Sequence, residues 1–287
     1  MVREATTPQG TDVPFDTPAP TGGREPYSVQ CDPGSSSMFA IGETAIRCTA
    51  TDAEMALASC EFGVTVRVSR TIAKTKFMAF GDSITDGAVS LAPLIMLGPP
   101  DTYPFKLEQM LLERYPSQPI VVVNEGKGGE DTRGGARRLP GVLDADKPEV
   151  LLLLEGINNL GAFTATQVTA LRTMITEAQS RGVEVIIATV MPVLPRWRQY
   201  QPVTTLSKIQ ALNTQIFTLA AQYNLGIPVD LFAMFDANPE LIGSDGLHPT
   251  VEGQTRIAEA FRDEIVRRYG SDMSTTSLRF STMRRAR

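Results

Sequence analysis

Lys76-Phe77-Met78-Ala79-Phe80-Gly81-Asp82-Ser83-Ile84-Thr85-Asp86-Gly87 (KFMAFGDSITDG, residues 76–87) is the stretch on which the fold turns. Its first five residues form an apolar run too short for a helix and suited to a strand buried on both faces. Small polar residues follow at once. They let the backbone turn sharply and expose the hydroxyl of Ser83. The same composition also suits an ordinary turn. It is not the G-x-S-x-G elbow of α/β-hydrolases.

Working outward, four more short apolar runs follow at residues 119–123 (PIVVV), 149–155 (EVLLLLE), 183–190 (VEVIIATV) and 227–232 (IPVDLF). Helical periods lie between or after them. Leu206, Ile209, Leu212, Ile216 and Leu219 recur at spacings of three and four, as do Val168, Leu171 and Ile175, and Ile257, Phe261 and Ile265. Strands alternating with helices predict an α/β fold with a five-stranded parallel sheet, doubly wound. Such a sheet presents its functional loops at the carboxyl ends of its strands.

Three further blocks stand at those ends. Asn124-Glu125-Gly126-Lys127-Gly128-Gly129-Glu130-Asp131-Thr132 follows the second run. Its glycines allow backbone N–H groups to face a ligand. It fails G-x-G-x-x-G, because position 131 is Asp, and it fails the P-loop, because Gly128 follows Gly-Lys. Glu155-Gly156-Ile157-Asn158-Asn159-Leu160-Gly161 follows the third run. An asparagine there serves either as an amide donor to an oxyanion or as an Asx turn. Asp245-Gly246-Leu247-His248-Pro249-Thr250 precedes the last helical period. An Asp three residues before a His can fix its tautomer through Nδ1 and leave Nε2 as base. A helix-capping Asp beside a surface His is the alternative reading. Taken together and in order, the blocks supply a nucleophile, oxyanion donors and an Asp–His pair, the set acyl transfer needs.

Composition narrows the classes. The chain has 287 residues, a net charge of -5 and 42% hydrophobic residues. An acidic balance argues against a nucleic-acid partner. No apolar run is long enough for a membrane span. There is one histidine, His248, which excludes a multi-histidine metal site within the chain. An imidazole base therefore has a single candidate.

These four blocks resemble those of the GDSL-type, or SGNH, hydrolase family: GDSITDG, NEGKGG, GINN and DGLHP, over roughly residues 74–270. The resemblance implies a flavodoxin-like three-layer α/β/α sandwich and a serine esterase needing no metal or cofactor. Carried over by position, Ser83 is the nucleophile, His248 the base and Asp245 its orienting acid. The oxyanion hole falls to the backbone N–H of Ser83, the backbone N–H of Gly129 and the side-chain amide of Asn158. One departure is Asn159, where the family usually has Asp; it puts the rigidity of that loop in question.

The implied substrate is a small-molecule ester with a short- to medium-chain acyl or aryl group. The apolar segment 88–105 and the loop 191–200, which holds the only tryptophan, are candidate pocket walls. The expected lining is Asp82, Ile84, Leu94, Ile157, Trp197 and Leu247. A core-facing segment and a surface tryptophan are the competing readings. Two rival functions stand beside esterase action. One is an acetylxylan-type deacetylase with a polysaccharide-linked ester. The other is a non-catalytic extracellular adhesion protein on a retired scaffold.

The three cysteines, Cys31, Cys48 and Cys60, all precede this region. With no C-x-x-C pair, they read either as a stapled extracellular module or as three unrelated thiols. Residues 1–25 are rich in Thr, Pro, Gly and Asp and predict turns and loops. They contain no apolar h-region of a signal peptide. Runs at 27–31, 43–49 and 59–68 predict short strands of a small all-β unit. This unit resembles the later part of a HYR (hyalin repeat) module, an immunoglobulin-like β-sandwich, through its cysteine rhythm and the CTATDA run. That resemblance implies a secreted, cell-surface or periplasmic protein. It also implies a Cys31–Cys48 bridge, with Cys60 left for an upstream partner. The expected organisation is a module at 1–70, a hydrolase domain at 71–270 and a disordered basic tail at 271–287.

Overall fold

The computed structural model describes residues 1–89, 95–160 and 164–272. The chain divides into two compact units, one holding Met1–Thr71 and the other Ile72–Gly270.

The first unit is built from short strands: β1 (Val2–Glu4), β2 (Gly10–Asp12), β3 (Ser28–Asp32), β4 (Met38–Ala40), β5 (Gly42–Thr51) and β6 (Leu57–Arg67). Among the described residues one sheet runs β1-β6-β5-β3, and β2 pairs with β4. Val13, Phe39, Ile46, Cys48, Val64 and Val66 form a small core of their own. In β5, Ile46 and Cys48 alternate with exposed neighbours, the period of a strand with one buried face. Cys31 lies opposite Cys48 across β3 and β5, and the two form a disulfide. Cys60 lies opposite Cys48 on the other side, in β6, and is an exposed free thiol. The 1–25 stretch, expected to hold only turns and loops, contains β1 and β2. Strand β1 joins the sheet by pairing parallel with the end of β6, a long-range pairing that supplies bonds its local composition does not suggest.

In the second unit, β7 (Lys76–Gly81), β8 (Val121–Gly126), β9 (Val150–Leu154) and β10 (Glu184–Ile187) form a parallel sheet in the order β8-β7-β9-β10. The chain leaves β7 for β8 on one side and returns to β9 on the other. The end of β7 is therefore a topological switch point, where parallel sheets open a crevice.

The expected fifth strand is a correction. Among the described residues the run at 227–232 adds only one parallel bridge, Val229 to Ala188. Pro228 has no N–H to give to a ladder. Asp230 then accepts from Ala233 N and caps a helix from Leu231, so the run ends before a strand can extend.

The helices are α1 (Ser83–Asp86), α2 (Tyr103–Arg114), α3 (Thr132–Asp146), α4 (Thr164–Ser180), α5 (Thr205–Gln222), α6 (Leu231–Ala237) and α7 (Val251–Tyr269). Alternation along β7 fixes the layers. Phe77 points toward Tyr269 of α7, and Phe80 lies under Arg138 of α3. Helix α2 packs on α7, and α3 packs on α4. The three helical periods read from the sequence bury their apolar stripes: Ile209, Leu212 and Ile216 in α5, Leu171 and Ile175 in α4, and Ile257, Phe261 and Ile265 in α7. No helix among the described residues is long and apolar enough to cross a membrane.

Candidate active site

Ser83 stands two residues past the end of the central strand β7, as the first residue of α1. Asp82 caps this short helix by accepting from Ile84 N at 3.0 Å. The turn is tight because Gly81 has no side chain. A Cβ there would run into the carbonyl of Leu154 and the hydroxyl of Thr85. Gln254 of α7 donates to the carbonyl of Ile84 and accepts from Tyr103 N, at 3.0 and 2.8 Å. This fully buried amide ties the serine turn to α2 and α7.

The Asp245–His248 block comes against Ser83 from the other end of the chain. Ser83 Oγ lies 2.9 Å from His248 Nε2. His248 Nδ1 lies 2.7 Å from Asp245 Oδ2. The other carboxylate oxygen of Asp245 accepts from Leu247 N and His248 N at 2.9 and 3.0 Å. Both ends of the imidazole are thus held. Ser83 is 8% exposed and His248 7%, so the pair is screened from bulk water but reachable.

The 191–200 loop braces this block. Arg196 donates to the carbonyls of Ile242 and Gly243, and Leu194 N donates to Gly246 O. Gly246 has φ +75°, and a Cβ on it would stand 2.7 Å from Trp197 N. Both the backbone conformation and the close approach call for glycine.

The second and third blocks meet beside Ser83. Lys127 N donates to Gly81 O, Gly128 N to Asp86 Oδ2 and Glu130 N to Lys127 O. Among the described residues none accepts from Gly129 N–H, and Gly129 has φ +73°. Asn158 Nδ2 donates to the carbonyl of Glu130 at 3.0 Å, which uses one of its two amide protons. Asn159 is buried. It donates to Thr132 Oγ1 of α3 and accepts from Gln167 Nε2 of α4, at 3.1 and 3.0 Å. Its neutral amide therefore ties the loop to two helices.

Behind the loops lies a layer of acids, of which Asp82 was expected as a pocket residue and Glu155 was not. Asp82 and Glu155 follow the paired ends of β7 and β9, where Leu154 lies beside Gly81. Burial pushes the Asp82 carboxyl up to about 7; the Ile84 N–H pulls against this and the charge of Glu130 adds to it. Glu155 is 2% exposed, and neither carboxylate oxygen has a partner among the described residues. Burial, then the charges of Asp82 and Glu130, hold its proton well above the usual carboxylate range, against the pull of Arg138. The only local signal of Glu155 was an acid at the end of an apolar run.

The expected pocket residues are placed as follows. Ile84, Ile157 and Leu247 belong to the continuous core, each less than a tenth exposed. Trp197 is half-buried against it. Asp82 sits in the acid layer as a helix cap. Leu94 lies outside the described residues.

A parallel sheet with a Ser–His–Asp arrangement at its switch point defines a hydrolase of the serine type. A model of the GDSL-like lipase/acylhydrolase family matches residues 79–256. The chain belongs to that family and is a serine ester hydrolase. An arylesterase from Vibrio mimicus is 27% identical over 201 residues, 68% of this chain and 90% of that protein. The crystal structure of the lipase/acylhydrolase from Enterococcus faecalis is similar with a TM-score of 0.59 and 25% identity, over 68% of this chain and 97% of that one. The acetyl xylan esterase AlAXEase shares the fold at a TM-score of 0.54 and 19% identity, over 66% of this chain and 98% of that one.

Proposed function

We propose that this chain hydrolyses short- to medium-chain acyl or aryl esters through an acyl-enzyme on Ser83. The carrying observation is the unbroken hydrogen-bond chain Ser83–His248–Asp245, at 2.9 and 2.7 Å. Asp245 holds the Nδ1 proton of His248, which leaves Nε2 to take the proton of Ser83 Oγ as it attacks the ester carbonyl. The tetrahedral oxyanion is received by the backbone N–H groups of Ser83 and Gly129 and by the second amide proton of Asn158. His248 then protonates the leaving alkoxide, and water repeats the sequence on the acyl-enzyme. The likeness to an arylesterase supports the substrate class. Ile157 and Leu247 flank Asn158 and His248 in sequence, so they and Trp197 are the proposed apolar walls.

We read the first unit as an accessory HYR-like module and the protein as secreted, cell-surface or periplasmic. The cross-strand disulfide supports this reading, because such bonds persist in oxidising compartments.

The test is labelling with a fluorophosphonate, followed by mapping of the modified peptide. Modification at Ser83, absent in Ser83→Ala, is the expected result; labelling elsewhere or none on folded protein overturns it. Hydrolysis of p-nitrophenyl esters of rising chain length then sets the substrate. Strong turnover of acetylated xylan with none of the butyrate ester would instead identify a deacetylase.

A further inference from the structure

We propose that Arg138 is the positioning residue of the oxyanion hole: it clamps Glu125, at the end of β8, to Glu130 and, through Glu130, orients Asn158. The proposal rests on the esterase reading of Gly129 and Asn158 given above.

Arg138 projects from α3 and is 18% exposed at its side chain. It donates from Nε to Glu130 Oε1 and Oε2 at 3.1 and 2.9 Å, and from Nη2 to Oε2 at 2.6 Å. It also donates from Nη1 to Glu125 Oε2 at 2.9 Å and from Nη2 to the Glu125 carbonyl at 3.0 Å. Its guanidinium lies 4.1 Å from the centre of the Phe80 ring, on the central strand. One planar fork therefore joins Glu125, at the end of β8, to Glu130 across the intervening Gly-Lys-Gly-Gly. A glycine-rich segment has much conformational freedom to lose; Gly81 and Asp86 hold its middle, and Arg138 adds the tether at its two glutamates. The tether reaches the chemistry in one step on each side. Gly129 is the residue just before Glu130, and the Glu130 carbonyl holds the Asn158 amide at 3.0 Å.

Charge gives the same answer. The Glu130 side chain is 4% exposed and faces the acid layer of Asp82 and Glu155. Arg138 is its buried counter-charge, because Lys127, the other cation in reach, is 62% exposed and 3.7 Å away. Without Arg138 the carboxylate of Glu130 loses its fork and turns toward Lys127 and water. Turning moves its own carbonyl, and Asn158 with it. Lysine cannot replace the fork, since a point charge cannot bind both glutamates in fixed geometry.

The experiment compares wild type, Arg138→Met and Arg138→Lys on a p-nitrophenyl ester. Active sites are counted by fluorophosphonate labelling carried to completion. Arg138→Met is expected to lower kcat per labelled site about 10²-fold, the cost of a misplacement near 1 Å, with KM nearly unchanged. Inhibition by an aryl boronic acid, whose tetrahedral adduct fills the hole, should weaken by the same factor as kcat/KM. Arg138→Lys should fall between the two. A merely structural role would reduce the number of labelled sites and the Tm and leave kcat per site intact; that result overturns the proposal. Boronate affinity unchanged while kcat falls also overturns it. If Arg138→Met does not fold, Arg138→Lys decides, with wild-type kcat per site counting against. Failure of the esterase reading looks different: wild type and Ser83→Ala would then behave alike.

Discussion

Asn158 carries two amide protons, and the fold spends one of them on Glu130. In the proposed mechanism the other is the one offered to a developing oxyanion. Asn158→Ala should therefore lower kcat by about 10²–10³ while the Tm hardly moves, checked by steady-state kinetics and thermal unfolding on one preparation. Its neighbour answers to a different measurement. Asn159 bridges Thr132 and Gln167 inside the core, so Asn159→Ala should cost about 1–3 kcal/mol of stability by leaving buried groups unpaired. Asn159→Asp should retain kcat within about threefold, since the Thr132 hydroxyl can reverse to donate to a carboxylate. The juxtaposition of Ser83, Asp245 and His248 was legible, because local spacing and residue type suggested it. Arg138, Glu130 and Glu155 were not, because each matters through a neighbour that only the packed sheet supplies.

At the scale of the element, the sequence signal followed the regularity of the apolar pattern. Helices α4, α5 and α7 carry plain stripes and were legible. Helix α3 was not: Gly134, Gly135, Pro140 and Gly141 interrupt it, and its start is marked by the cap of Asp131 on Gly134 N at 2.8 Å. Gly135 sits there for packing, 3.2 Å from Phe80 and 3.3 Å from Met174 by the position a Cβ would take. The fifth apolar run had strand composition, yet Pro228 and the Asp230 cap turned it into a bridge and a helix. The end of β8 offers a test. A Cβ on Gly126 would strike the backbone of Asp86, so Gly126→Ala should displace α1 and Ser83 together. The expected outcome is a loss of about 1–3 kcal/mol in stability by denaturant unfolding, with kcat falling in the same variant.

For the whole molecule, the two units place their chemistry apart in the sequence. All three cysteines lie in the first, and Ser83, Asp245 and His248 all lie in the second. Reduction of Cys31–Cys48 with dithiothreitol should leave kcat on a small ester unchanged, read by activity before and after thiol quantitation. The acid layer adds a pH dependence of stability. Asp82 has its folded value near 7 against an ordinary 3.8, so across that window the folded state holds more protons than the unfolded one. Stability from this group thus falls as pH rises through the window and levels above it, and Glu155, raised in the same sense, extends the fall upward. Glu155→Gln cannot ionise. Its Tm relative to wild type should rise as pH increases above the ordinary carboxylate range. An unchanged difference would place the ionisation elsewhere.

The sequence by itself determined the alternation of strands and helices, the order of the four blocks and the identity of the single histidine. These are properties of residue type and short spacing, which act along the chain before it folds. The tertiary structure alone decided that β7 lies between β8 and β9. Through that pairing it set Asp82 beside Glu155, and it joined Glu125 and Glu130 to Arg138 of α3. Side-chain charges and hydrogen bonds act over a few ångströms, and residues this far apart in the chain come within that range only when the sheet is assembled.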